Sequence, residues 1–406
     1  GAMPGRILEG LHRSRDSSPV ILLDEIDKVE QVSGGNAAGI LQQLLEVGHN
    51  HDFVDQYLGV PFDLSQCVFL ATANDPEGIP DTLLDRLEVI RFDGYSEKEE
   101  LAIARDHLIP RTRERIGLAR GQLRISPGAL RGLIRGYTEE AGVRQLQRMI
   151  DSLGRKAPVS VVRGGEGLIV LKSNLLELLG PAIVDEEPRL RGPAVGMATG
   201  LAWTVAGGAL LPIEALAMPG AGRTIITGSI GEVMRESVQT ALSFVRSHFG
   251  DIGLAPDCLE SLDLHLHFPS GATPKDGPSA GTAIATALVS LLTNTRVRHD
   301  VAMSGEVSLT GAVLPVGGLR DKLLAALRAG VREVIVPARN RDEILRLPPE
   351  VRRDLRIHLA ENAHDVLALA LVLDGRSRVG GVFLGPQRAR RSARRAGKSR
   401  RKRRTA

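Results

Sequence analysis

Cysteine is nearly absent: Cys67 and Cys258 are the only two in 406 residues, far apart and in no redox or ligand spacing. That excludes a disulfide framework and a cysteine-built zinc site, and it makes a reducing compartment, the cytoplasm, the expectation. Aromatic residues are scarce, at 3% of the chain with a single tryptophan. Long apolar runs are missing too. "VLALALVL" at 366–373 is among the most apolar stretches and is too short to cross a bilayer, so no membrane role is expected. No charged-then-apolar leader opens the chain, and its start at Gly1 suggests a piece of something longer.

Acidic residues are missing from the end of the chain. Residues 386–406, "PQRARRSARRAGKSRRKRRTA", hold eleven Lys and Arg and no acid, which leaves 41 basic against 48 acidic residues elsewhere, a net of −7. A mildly acidic body therefore carries a basic tail, expected to be disordered from residue 379. Either it is a solvated tail without a partner, or it binds DNA or another polyanion through counterion release.

What is present has a clear order. "PVILLDEID" and "CVFLATAND" read as buried strands on either side of a helix, "NAAGILQQLLEV", the rhythm of a parallel α/β sheet over residues 1–95. From Ser96 the pattern turns helical. Ser96 with Glu99 forms a capping box, Ser126 and Pro127 open another helix, and an all-helical unit over 96–184 follows. "DEEPRLRGPAVG" at 185–196 reads as a linker, and a Gly-rich α/β segment occupies 197–378. Within it "LDLHLHF" alternates, placing His265 and His267 on one face of a strand.

Asp24 and Glu25 end a strand, where ligands collect in open α/β sheets. They are either solvated acids or a nucleotide site in which Asp24 holds magnesium through its water shell and Glu25 polarises the attacking water. Asn74 at the end of the next strand and Arg86, placed as an arginine finger would be, favour the second. The loop that would cradle phosphates, G-x-x-x-x-G-K-[ST], does not precede Asp24. The near match "SARRAGKS" at 392–399 has Ser392 in place of the first glycine and no strand before it.

"PKDGPSAG" at 274–281 places Ser279 just before an apolar helix. As an N-cap it would accept from the N–H of Gly281 or Thr282; as a nucleophile it needs a base. Lys322, at the border of the apolar face made by Leu319, Leu323, Ala326 and Leu327, is one candidate, although most such lysines extend to water.

"PKDGPSAG" followed by "MSGEVSLTGAVLPVGGLRDKLLAALRAG" resembles the peptidase domain of Lon, the ATP-dependent protease. "GAMPGRI", "LLDEIDK", "ATAND", "LLDRLEVI", "YTEEAGVRQLQRMI" and "GLAWT" fall in the same order as in that family, so the resemblance covers nearly all of the chain before the tail. It implies a truncated AAA+ core, a helical lid and an α/β peptidase domain. It also implies Ser279 as nucleophile, Lys322 as base, a hydroxyl at Ser304 orienting the lysine, and Asp276, His265 and His267 as supporting residues. In the ATPase part it implies Asp24 and Glu25 as Walker B, Asn74 as sensor, Arg86 as finger and Arg144 as the lid arginine that senses nucleotide. ATP and Mg2+, unfolded-protein substrates and a hexamer of identical chains complete the implied enzyme. The chain departs from the pattern at Val205, Ala209 and the 45–49 run "LEVGH". Two other classes stay open: a nucleic-acid-associated AAA+ protein without proteolysis, and an inert assembly fragment.

Overall fold

A computed structural model describes residues 5–372, apart from 17, 32–36, 47, 56, 75–77, 91, 93, 184–191, 205–206, 251, 253, 256 and 270–273. The basic tail, most of the expected linker, Val47 and Val205 therefore lie outside the described residues. The chain divides into two compact units, Gly1–Phe92 and Asp93–Ala406.

In the first unit, α1 (Arg6–Ser14) precedes β1 (Val20–Leu23), α2 (Ala37–Leu45), the hairpin of β2 (Phe53–Val54) and β3 (Pro61–Phe62), β4 (Val68–Ala71) and α3 (Asp81–Leu84). The parallel arrangement expected from the strand–helix–strand rhythm is present, with Val20 opposite Val68 and Leu23 opposite Ala71. One face of this pair packs Leu23 and Phe69 against Leu44, Leu64 and Leu83. The strands were expected to be buried throughout, yet Val20, Leu22, Val68 and Leu70 on the other face are more than half exposed. An apolar run shows that a strand has two apolar faces, while coverage depends on which layers flank it, and here the described layers flank one.

The second unit opens with α4 (Glu97–Ile103), whose capping box forms as expected: Glu99 N–H donates to Ser96 Oγ and Ser96 N–H to Glu99 Oε2. The helix runs through a π turn, Ala104–Leu108, into α5 (Ile109–Ile116). Pro110, which has no N–H to give back, lies just beyond that turn. Next come β5 (Leu123–Ile125), α6 (Pro127–Gly136), α7 (Arg144–Val162), β6 (Leu168–Val170) and α8 (Leu175–Leu179). Ser126 caps α6 by accepting from Ala129 N–H at 3.1 Å. Leu146, Ile150, Leu153 and Ala157, at helical spacing on α7, form the centre of this core. The helices expected here are joined by one parallel strand pair, β5 with β6, which buries Leu123 and Val170.

The rest of the unit is built on β7 (Met197–Thr204), β8 (Gly207–Pro219), β9 (Thr224–Thr227), α9 (Glu232–Ser247), β10 (Leu262–His267), α10 (Gly281–Thr293), β11 (Val301–Met303) and the hairpin β12 (Glu306–Val307) and β13 (Val313–Leu314). After these come α11 (Leu319–Arg328), β14 (Glu333–Pro337), α12 (Arg341–Arg346), α13 (Pro349–Asp354), β15 (Arg356–Ala360) and α14 (Ala363–Ala370). A seven-stranded sheet of order β15-β14-β11-β7-β8-β10-β9 runs through it, antiparallel only at β7-β8 and β8-β10. Alternation sorts the strand residues. Ala198, Leu211, Met303 and Ile335 pack with α9, α10 and α14, while Leu201, Leu210, Ala302, Val334 and Val336 pack with α11. The two helical layers thus lie on opposite faces. α10 is sunk deeply in one of them, and its small residues Ala283, Ala285 and Ala287 admit the close packing expected of them.

Candidate active site

Ser279 lies on a single 3-10 turn, Pro278–Ala280, that Gly277 enters at φ 113°, a conformation open chiefly to glycine. The turn is fastened to the chain just past the carboxyl end of β11: Gly305 N–H donates to Ser279 O at 2.8 Å, and Thr282 N–H to Gly305 O at 2.9 Å. Gly281 N–H donates to Pro278 O. Both donors that a capping serine would use are therefore satisfied by carbonyls. Ser279 does not cap α10; its Oγ accepts a hydrogen bond from Lys322 Nζ at 3.1 Å.

The lysine arrives from the opposite layer, on the first turns of α11. Gly318 starts that helix in the left-handed region, at φ 64°. Glu343 Oε1 accepts from Leu319 N–H at 3.2 Å, and the Asn340 side chain brackets Val316, accepting its N–H at 3.1 Å and donating to its carbonyl at 2.8 Å. Lys322 was expected at the border of an apolar face, but it is only 3% exposed. Helix α11 has the sheet on one side and the serine turn at its start, so a border position is covered as well. Burial pushes the ammonium down to about 8, against the opposing pull of the Glu343 carboxylate. A hydroxyl held against an amine that is readily neutral is an arrangement that can transfer a proton.

Ser304 is buried beside the pair, but its hydrogen bond differs from the expectation: Oγ donates to the Ser279 carbonyl in a long contact of 3.5 Å, while its N–H donates to Ile335 O. Following directly on β11, this short side chain reaches the serine turn, and Lys322 spends its bond on Ser279. Asp276 acts one step from the pair. Its Oδ1 accepts from Met234 N–H and Gly277 N–H, both at 2.8 Å, which ties the serine loop to the first turn of α9. His265 and His267 alternate outward on β10 as expected and share Thr227 Oγ1, at 2.9 and 2.7 Å. Their hydrogen bonds run to that threonine, and no cluster of three metal-ligating side chains occurs among the described residues.

In the first unit, Thr72 Oγ1 donates to Asp24 Oδ1 at 2.5 Å and accepts from Glu25 N–H at 3.0 Å, joining the carboxyl ends of β1 and β4. Glu25 sits at φ 55°, a conformation costly for a non-glycine residue and typical of functional sites, and its carboxylate pairs with Lys28 at 2.8 Å. Asn74 is exposed beyond β4. Arg86 donates through Nε and Nη2 to Glu46 Oε2, and through Nη1 to Thr82 O. Arg144 opens α7 in the second unit and is exposed. Asp24, Glu25 and Asn74 thus offer oxygen acceptors at adjacent strand ends, fitting a magnesium water shell and an attacking water; they include no group that would grip phosphates.

Residues 169–373 match the family described as Lon protease (S16) C-terminal proteolytic domain. The chain belongs to the Lon protease family. Residues 114–169 match the Lon protease AAA+ ATPase lid domain, and residues 1–95 the ATPase family associated with various cellular activities. Among curated relatives, "Lon protease" of Aquifex aeolicus is 48% identical over 374 residues, 92% of this chain and 47% of that protein. "Lon protease 2" of Thermus thermophilus is 44% identical over 393 residues, 97% of this chain and 48% of that protein. The chain spans about half the length of the curated Lon relatives it matches.

The Lon peptidase match contains both Ser279 and Lys322, the lid match contains Arg144, and the AAA match contains Asp24, Glu25, Asn74 and Arg86. Reading the sequence alone missed Asn340 and Glu343, which hold the start of α11, and Ser237, whose Oγ donates to Pro278 O at 3.2 Å and holds the serine turn from α9. None is part of a local pattern. Their roles appear only once β14 and α9 are laid against the site.

Proposed function

We propose that this chain carries the peptidase of a Lon-type ATP-dependent serine endopeptidase, with Ser279 as nucleophile and Lys322 as general base. The observation that supports this most is the 3.1 Å hydrogen bond between the serine hydroxyl and a lysine that is only 3% exposed and whose burial lowers its pKa to about 8. Neutral Lys322 takes the Oγ proton as Ser279 attacks the scissile carbonyl, and backbone N–H groups around the serine turn receive the oxyanion. The lysine then returns the proton to the leaving amine. An acyl-enzyme remains; Lys322 takes a proton from the attacking water and returns it to Ser279 Oγ as the ester bond breaks and the acid product leaves. Asp276 and Ser237 keep the serine loop in place. Ser304 fixes its carbonyl, and His265 and His267 stand as a polar pair on the neighbouring strand.

On this reading the chain divides into a truncated AAA+ core (1–95), lid (96–184), linker (185–196), peptidase domain (197–378) and basic tail (379–406). ATP bound with Mg2+ in the intact enzyme supplies the free energy of hydrolysis for unfolding. With ATP and Mg2+ bound, Asp24 would hold the metal through its water shell and Glu25 and Asn74 would orient the attacking water, while the family pattern would make Arg86 the finger and Arg144 the nucleotide sensor of the lid. Because the 406 residues hold no phosphate loop, this chain alone binds ATP poorly. The intact enzyme is a hexamer of identical chains that works in the cytoplasm on unfolded proteins. No described helix is long and apolar enough to cross a membrane.

The eleven basic residues of 386–406 favour a second, compatible activity, binding of DNA or another polyanion without sequence preference. Casein cleavage with and without Mg-ATP separates the peptidase from its two rivals. A folded wild-type chain that cleaves neither casein nor short peptides, and whose Ser279 resists a fluorophosphonate, would leave only the nucleic-acid-associated or inert reading.

A further inference from the structure

Helix α11 has a second occupied side. While Lys322 faces inward, Arg320 Nη2 donates to the carbonyl of Gly94 at 3.3 Å and lies 3.9 Å from Glu99 Oε2, both at the entry to α4. Asp321 Oδ2 accepts from Trp203 Nε1 at 3.1 Å, and Arg328 Nη2 donates to Gly208 O at 2.8 Å. The approach is close. A Cβ at Gly94 would come within 3.1 Å of Ala141 and 3.4 Å of the Asp321 carboxylate, and one at Gly208 would run into the Asp321 backbone. Glu100 is sealed into the same junction at 4% exposure, with no hydrogen bond to its Oε2 among the described residues. The charged groups facing it are Arg328 from α11, Glu140 ahead of α7, and Glu97 and Glu99 on its own helix.

We propose that α11 is a two-sided positioning element: its inner face presents Lys322 to Ser279, its outer face is latched through Arg320 to Gly94 and Glu99, and displacing that segment withdraws the lysine from the serine. The catalytic consequence rests on the peptidase reading above; the mechanical one does not. Lys322 and Arg320 are two residues apart on one rigid helix, so a shift at one moves the other. The lysine is held dehydrated by packing that the latch helps to keep closed, and loosening the latch admits water to it. Arg320 is thus a positioning residue that acts through the helix, while Arg328 ties the far end of the helix to Gly208. What the latch offers to the rest of the chain is a route by which the segment before α4 sets the state of the catalytic pair.

The test follows Lys322 itself, by NMR titration of the full chain labelled at the lysine ε position and assigned by the signal lost in Lys322→Arg. In Arg320→Gln the midpoint of Lys322 is expected to rise by about one unit towards the ordinary lysine value. In the same variant kcat on an unstructured peptide is expected to fall about five- to tenfold with little change in KM, and Arg320→Lys, which still donates to Gly94, restores most of it. Gly94→Val, a wedge between Ala141 and Asp321, is the second variant should Arg320→Gln not fold, and it moves the midpoint in the same direction. An unmoved midpoint in a folded variant overturns the latch. A shifted midpoint in a chain that cleaves nothing and whose serine takes no fluorophosphonate supports the latch and removes the peptidase reading.

Discussion

Lys322 Nζ and Ser279 Oγ meet at 3.1 Å although they come from helices on opposite faces of one sheet. Their meeting point lies just past the carboxyl end of β11, where the serine turn and the start of α11 both converge. Lys322→Arg keeps a cation there, but one that cannot accept a proton at neutral pH and is longer than the space left for it. Peptide cleavage is expected to fall by at least about a hundredfold in a chain whose circular dichroism is unchanged. Substantial activity in such a folded variant would take the lysine out of the mechanism.

The same burial sets a pH dependence. Lys322 titrates near 8 in the folded chain and near 10.5 in the unfolded one, so kcat is expected to rise with pH up to about 8 and then level. For stability the sign is the reverse of an ion pair. The buried cation weakens the fold at every pH below about 8, and the penalty fades as pH rises to about 10.5. Lys322→Met should therefore be inactive yet more stable than the wild type by roughly 1–3 kcal/mol at pH 7, with the difference shrinking by pH 10. Chemical denaturation of both chains at the two pH values checks it.

Glu100 should show the opposite window. Burial pushes it up to about 8 from 4.5, so between those values the folded chain holds a proton that the unfolded chain releases. Stability contributed by the protonated carboxyl is complete below about pH 4.5 and is lost progressively up to about pH 8. Glu100→Gln removes this loss. Its denaturation midpoint should match the wild type near pH 5 and exceed it near pH 8, by on the order of 2 kcal/mol. Parallel pH profiles for the two chains would contradict the assignment.

Gly231 leaves the room in which the Asp276 carboxylate reaches Met234 N–H on α9, and its own N–H donates to Lys275 O. A Cβ there would enter the Asp276 carboxylate, which already accepts from Met234 N–H. Gly231→Ala is expected to cost about 1–3 kcal/mol of stability and to lower kcat on short peptides about tenfold, the loop being displaced from α9. Equal kcat in the two chains would show that the serine turn does not depend on this anchor.

Deleting residues 386–406 should remove most binding to double-stranded DNA and nearly all of its salt dependence, because eleven basic side chains without an aromatic can read only phosphates. An unchanged salt slope after the deletion would place the polyanion site on the body of the chain.

Much of this was legible in the residues. Capping chemistry is local, so Ser96–Glu99 and Ser126 declared their helices, and strict alternation placed His265 and His267 correctly on β10. The serine and lysine motifs and their pairing as nucleophile and base were recognisable through resemblance alone, since 43 residues of sequence separation say nothing about two layers meeting. The depth of Lys322 was missed because a helical projection sees one neighbour surface, and α11 has several. The exposed faces of β1 and β4 and the pairing of β5 with β6 were missed for a related reason: both depend on what flanks a strand, which its own residues do not record. Asn340, Glu343 and Asp276 act on backbone groups of other segments, and no periodicity marks them.

The central claim is most directly tested by following an unstructured fluorogenic peptide with the 406-residue chain and with its Ser279→Ala variant, each with and without Mg-ATP, beside a stably folded protein substrate. Slow peptide cleavage that ignores ATP, vanishes in Ser279→Ala and spares the folded protein is the expected result. Cleavage that survives Ser279→Ala, or none at all from a wild-type chain shown to be folded, would contradict the account.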